Sequence, residues 1–131
     1  MTTSIQPPYA PTISTTDDLA ALWGTLMGQG GFSSRTLWLA VLDESGRPSP
    51  VLVPIEGIPR VPTPSDVSAF SRALDGISDL GTVVMLISRP GSESIQEDDR
   101  SWSHALTPLA PEWPIHLATS GREGHGHIQA V

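Results

Sequence analysis

The chain has no cysteine and no lysine, and its aromatic content is 5%. Absence of cysteine excludes thiol nucleophiles, cysteine-ligated zinc, iron–sulfur clusters and a disulfide framework. It leaves the redox compartment open. Absence of lysine excludes Schiff-base chemistry and the phosphate-binding lysine of a Walker-type loop. Positive charge is scarce as well: seven cations, all arginine, stand against fourteen carboxylates, for a net charge of −7. Duplex nucleic acid and anionic membrane both require a basic footprint, so neither is expected as a partner. No apolar run approaches the roughly 20 residues that cross a bilayer, and the first residues show neither a charged nor an apolar leader region. A cytoplasmic domain is the expectation.

What is present fits one domain. A chain of 131 residues buries roughly two-thirds of its unfolded surface, enough for a core without staples. Residues 1–13, with Pro7, Pro8 and Pro11 and no apolar periodicity, read as a flexible arm, and 14–131 as a single domain. Thr15 followed by Asp18 is a capping box, and Leu19, Leu22, Trp23 and Leu26 then form one helical face. The continuous apolar run Leu37–Leu42 suits a strand covered on both faces. The turn residues Asp43–Pro48 join it to a second strand, Val51–Ile55, as a hairpin. Pro54, Pro59, Pro62 and Pro64 keep the next segment out of any central ladder.

Thr63 as cap, Pro64 at the first helical position and Asp66 in the first turn open a second helix. Its core face is Val67, Phe70, Leu74 and Ile77. The most apolar stretch, Thr82–Ile87, predicts the central strand, ending at Ser88–Ser92. A third helix enters through Ser94 and Gln96 to Asp99 and buries Trp102, Ala105, Leu106 and Leu109. Ile115–Thr119 and His127–Val131 complete the pattern as short strands. The order predicts a three-layer α/β/α domain on a mixed sheet, with about five strands and three helices.

From about Arg35 to Val131 this order resembles the JAB/JAMM metalloprotease-like domain, closest to its RadC-type branch, a fold of cytidine-deaminase-like type. That branch has a glutamate ahead of a first strand ending in Leu-Asp or Leu-Asn. Its central strand ends in His-x-His-Pro-Ser-Gly, and the next helix opens in Pro-Ser-x-x-Asp. Here Arg35 precedes Leu37–Asp43, Met85-Leu86-Ile87-Ser88-Arg89-Pro90-Gly91-Ser92 stands at the strand end, and Ile95-Gln96-Glu97-Asp98-Asp99 opens the helix. The resemblance implies a zinc held by two histidines and an aspartate, with the glutamate as general acid/base on the metal's water. In this sequence Ile87 and Arg89 stand in place of the histidines, Arg35 in place of the glutamate and Gln96 in place of the serine. Only Asp99 matches. Isoleucine has no donor atom and arginine is a permanent cation, so neither metal nor other cofactor is expected. The resemblance then implies a non-catalytic module that binds a protein partner or a second copy of itself.

Two roles are open for Asp99. Either Arg89, with Arg35 beside it, supplies the positive charge that the metal supplies in the family, or Asp99 only flanks a helix start while Arg89 lies in a solvated loop. Arg89 with Gly91, Ser92 and Ser94 could also receive an anion at the helix start. Glu93, Glu97, Asp98 and Asp99 oppose that reading by their charge. The only candidate ligands for a rebuilt metal site are His116, His125 and His127; the simpler reading of these is an exposed C-terminal edge. His104 reads as solvated and the four tryptophans as core or interface. No serine sits in a nucleophile elbow.

Overall fold

The computed structural model describes residues 12–28, 32–120 and 126–131. Three α-helices and a five-stranded mixed sheet are formed among them. Helix α1 (Thr16–Met27) and helix α2 (Pro64–Ile77) both start in a reciprocal capping box, Thr15 with Asp18 and Thr63 with Asp66. In each, the threonine hydroxyl accepts from the third residue's N–H while that residue's carboxylate accepts from the cap's own N–H. The strands are β1 (Thr36–Leu42), β2 (Pro48–Glu56), β3 (Thr82–Arg89), β4 (His116–Thr119) and β5 (His127–Ala130), in the spatial order β2-β1-β3-β4-β5. Helix α3 (Glu97–Leu106) carries the chain from β3 to its parallel neighbour β4.

Strand alternation divides the core in two. Odd-numbered residues Leu37, Leu39, Val83, Met85, Ile87 and Leu117 pack with Phe70 and Leu74 of α2 and Trp102 and Leu106 of α3. Even-numbered residues Ala40, Leu42, Val84, Leu86 and Ala118 pack with Leu19, Trp23 and Met27 of α1. The sheet is therefore a middle layer with two helices on one face and one on the other. That is why β1 and β3 read as unbroken apolar runs: six of the seven residues of β1 and seven of the eight of β3 are buried.

Strand β2 is longer than the expected Val51–Ile55 and holds Pro48, Pro50 and Pro54. It lies at the sheet edge, where an N–H facing outward needs no ladder partner, so prolines are tolerated. Its register against β1 jumps between Ala40 and Leu42, a bulge that takes up the extra residues. Gly81, at φ +150°, turns the chain into β3 hard against the end of β1. A β-carbon there would stand 2.1 Å from the Leu42 carbonyl oxygen.

The arm expected over 1–13 falls on residues that lie outside the described ones as far as Pro11, and its last residue departs from the expectation. Ile13 is 3% exposed, packs in the α1-side core and donates its N–H to the Gly46 carbonyl at 2.7 Å. Burial of one β-branched side chain under α1 draws the boundary back into the domain. Among the described residues, no helix is long and apolar enough to cross a membrane.

Candidate functional site

The antiparallel register of β1 and β3 sets Thr36 opposite Ser88 and Leu37 opposite Ile87. One step further out, Arg35 stands across from Arg89. Both are odd-numbered, so they lie on the sheet face covered by α3. The N-terminus of α3 arrives at the same place because α3 starts eight residues after β3 ends.

Arg89 is 3% exposed and Asp99 is 1% exposed. Their side chains meet fork to fork: Nε donates to Oδ1 at 2.8 Å and Nη2 to Oδ2 at 2.7 Å. The other guanidinium hydrogens go to the loop between them. Nη1 donates to the carbonyls of Pro90 (3.1 Å) and Ser92 (2.9 Å), and Nη2 to that of Ser94 (3.0 Å). All five donors of the guanidinium are thus engaged. The turn at Gly91, with φ +101°, helps wrap the loop around the guanidinium. Asp99 also accepts from the Gln96 N–H at 2.8 Å, the backward half of a capping box. Burial alone would raise the Asp99 carboxyl. The Arg89 hydrogen bonds, the Gln96 N–H and the charges of Arg89 and Arg35 more than offset it and hold the group below its ordinary value. Asp99 therefore both pairs and caps, and Arg89 is no solvated loop residue.

Beside this pair lies a cleft of about 300 Å³. Arg35, Arg60 and Arg89 line it with Ser34 and Gln96, and Ile58 and Pro90 give it an apolar wall. Two features hold its outer side. The Ile58 N–H donates to the Arg35 carbonyl at 3.0 Å. Trp102 Nε1 donates to the carbonyls of Pro59 (3.0 Å) and Arg60 (3.1 Å), pinning the connection after β2 to α3. Arg60 bonds Asp98 through Nε at 3.1 Å, an exposed pair of little energetic weight. Arg35 is half-buried and, among the described residues, its side chain has no hydrogen-bond or ion-pair partner; its Nε is sealed from solvent. Burial lowers the pKa of this guanidinium from its ordinary value; Asp99 and Asp98 push it back up, while Arg89 and Arg60 lower it.

The remaining candidates are dispersed. Ile87 is core, 1% exposed, under α2 and α3. Gln96 is an exposed N-cap whose backbone N–H meets the Asp99 carboxylate. At the anion site expected at Arg89, Gly91, Ser92 and Ser94, the loop turns the carbonyls of Pro90, Ser92 and Ser94 toward Arg89, and the guanidinium has no hydrogen left for a ligand. Of the three histidines expected as ligands, the register separates His116 from His127. His116 lies opposite Ala130 and His127 opposite Thr119. Three residues along a strand place the two histidines on opposite faces and about 10 Å apart, whereas zinc needs nitrogens at about 2 Å. His125 lies outside the described residues.

His116 is also not at an exposed edge. It is 1% exposed because β5 pairs outside β4, and neither ring nitrogen meets a hydrogen-bond partner. Burial lowers its pKa; the nearby Pro114 carbonyl, outside hydrogen-bond geometry to the ring, opposes this only in part. His127 is 3.8 Å from Glu93 on the surface. Among the described residues, no group of three or more His, Cys, Asp and Glu could hold a metal ion. Nor do the residues around the Arg89–Asp99 pair fit one. Ile87 offers no donor, Arg89 and Arg35 are cations, and both Asp99 oxygens are already bonded.

Sequence reasoning missed Arg60, Ile58 and Ser34 at the cleft. The only trace of Arg60's role was Asp98 in the acidic run, which macrodipole complementarity explains equally well. Compared with protein-family models, with curated proteins and with solved structures, the chain matches none.

Proposed function

We propose that this protein is a non-catalytic binding module on a scaffold similar to the JAB/JAMM domain, with a guanidinium where that family holds a metal. The order helix, hairpin, helix, central strand, helix, two strands supports the scaffold. The observation that carries the functional reading is the saturated Arg89–Asp99 pair. A metallohydrolase needs an open coordination position and a water of lowered pKa. Here the corresponding space is filled by a side chain with every donor committed, and the position of the general base is a cation. Such a centre fixes the loop and helix that flank the cleft and makes no nucleophile. What remains for the surface is recognition, of a protein partner or of a second copy.

Elemental analysis of protein produced in zinc-supplemented medium tests the reading. Zinc should be far below stoichiometric after gel filtration, and amide and isopeptide substrates should stay uncleaved. One tightly held equivalent, removed together with activity by a chelator, would overturn it.

A further inference from the structure

We propose that the cleft between Arg35 and Arg60 receives a single carboxylate, with Arg35 as its principal donor. This deepens the binding-module reading by naming the ligand class. Three guanidiniums converge here: Arg89 is fully committed to Asp99 and the loop carbonyls, and Arg60 meets Asp98 through Nε alone in an exposed pair. Arg35 has a buried Nε with no partner and no carboxylate within ion-pair distance among the described residues. A buried donor left unpaired loses its water without replacement; because Nε is sealed, an incoming oxyanion removes that cost by drawing the guanidinium round toward the cleft that Arg35 lines. The chain could have met this donor with Asp98 or Asp99, yet both are turned to other arginines.

The charge balance selects the ligand. Three arginines against Asp98 and Asp99 leave one positive charge at the cleft, in a protein whose net charge is −7. One carboxylate neutralises it. A phosphate dianion would face the two aspartates with a charge in excess. Size points the same way, since about 300 Å³ is the lower end for ligand pockets and admits a side chain or a small acid rather than a nucleotide. Ile58 and Pro90 give an apolar wall for the methylenes that carry such a group, and Ser34 and Gln96 supply neutral polar contacts around it. The geometry of the arginine fork suits a planar carboxylate. A second hollow among the described residues, between Arg100, His104 and Val131, has no buried group awaiting a partner.

The carboxylate can belong to a free small acid or to an acidic side chain of a polypeptide, and the two sources are separable. The full chain, labelled with nitrogen-15 and kept in a metal chelator, is titrated with acetylglycine, with a capped hexapeptide carrying one central glutamate, and with inorganic phosphate, all at fixed ionic strength. The Nε–H resonance of Arg35, assigned by its loss in Arg35→Met, is followed. A saturable shift with either carboxylate is expected, with phosphate about tenfold weaker. Tighter binding of the hexapeptide assigns a polypeptide source; tighter binding of acetylglycine assigns a free acid.

Arg35→Lys should weaken the preferred ligand about tenfold, because a lysine cannot fork. Asp98→Asn removes a competing charge and should tighten it several-fold, so one variant gains where the other loses. No saturable shift, a shift unchanged in other cleft resonances of Arg35→Met, or phosphate binding as tightly as the carboxylates would overturn the proposal. Because chelator is present throughout, discovery of a zinc enzyme would refute the non-catalytic reading without bearing on this result.

Discussion

Replacing Arg89 by methionine tests the centre of the structure most directly. Methionine fills much of the stem volume but offers no donor. Asp99, 1% exposed, would keep only the Gln96 N–H at 2.8 Å and lose both charged bonds, at 2.8 and 2.7 Å. The carbonyls of Pro90, Ser92 and Ser94 also lose their donor, but those residues are exposed and water can replace it. The cost therefore concentrates in one stranded carboxylate. Removing one partner of a buried pair costs about 3–5 kcal/mol, a large share of the roughly 5–15 kcal/mol that holds a domain folded. For a chain of this length each kcal/mol moves the Tm by roughly 3–5 °C, so a fall of about 10–20 °C is expected.

The pH dependence identifies the cause. In the parent, Asp99 has a depressed pKa, so its contribution is present above the ordinary carboxylate value of 3.8 and is lost as pH falls through the lower folded value. In Arg89→Met the larger part of the offset to burial is gone, with the Gln96 N–H and the Arg35 charge remaining, and the folded pKa is expected to rise above the unfolded one. The variant's extra loss then grows as pH rises from about 4 toward 7 and shrinks on acidification. Urea unfolding followed by tryptophan fluorescence at pH 4, 5.5 and 7 measures this, Trp102 lying in the same helix as Asp99. The double variant Arg89→Met/Asp99→Leu should recover most of the loss, because an apolar pair carries no stranded charge. A loss below about 1 kcal/mol at pH 7, or one equal at all three pH values, would refute the reasoning.

The buried His116 should make stability fall as pH drops below about 6.5, the unfolded value, at up to about 1.4 kcal/mol per unit until the lowered folded pKa is reached. His116→Leu should remove that part of the slope and cost little at pH 7.5, since neither ring nitrogen has a partner; an unchanged pH profile of the urea midpoint would count against it. Gly81→Ala should lose about 3 kcal/mol or more, because the new β-carbon meets the Leu42 carbonyl oxygen at 2.1 Å at a φ of +150°. Gly76→Ala, in α2 with nothing within 4 Å of the added carbon, should instead gain about 0.5–1 kcal/mol, and equal effects by calorimetry would contradict the backbone account.

The layer order and most element boundaries were legible because their causes lie within a few residues. Thr15 and Thr63 cap their helices with partners three positions away. The apolar runs of β1 and β3 announce burial on both faces. Ile13 escaped because one apolar residue after three prolines has no period. His116 escaped because exposure of β4 depends on whether a later strand pairs outside it, and β5 does.

At the site, the sequence determined the chemistry available: arginine for every cation, no thiol, no lysine, and an aspartate at the start of α3. Which of these groups meet was decided by the tertiary structure. Asp99 could have capped a helix beside a solvated Arg89, and both roles were compatible with the same local sequence. The register of β1 on β3 and the docking of α3 brought a strand end and a helix start together in the core, where neither charge is stable without the other. The same packing brought Arg60 to Asp98, 38 residues away, and left Arg35 without a partner among the described residues. Local spacing encodes caps and faces. Pairing across layers depends on distances that only the packed sheet and helices set.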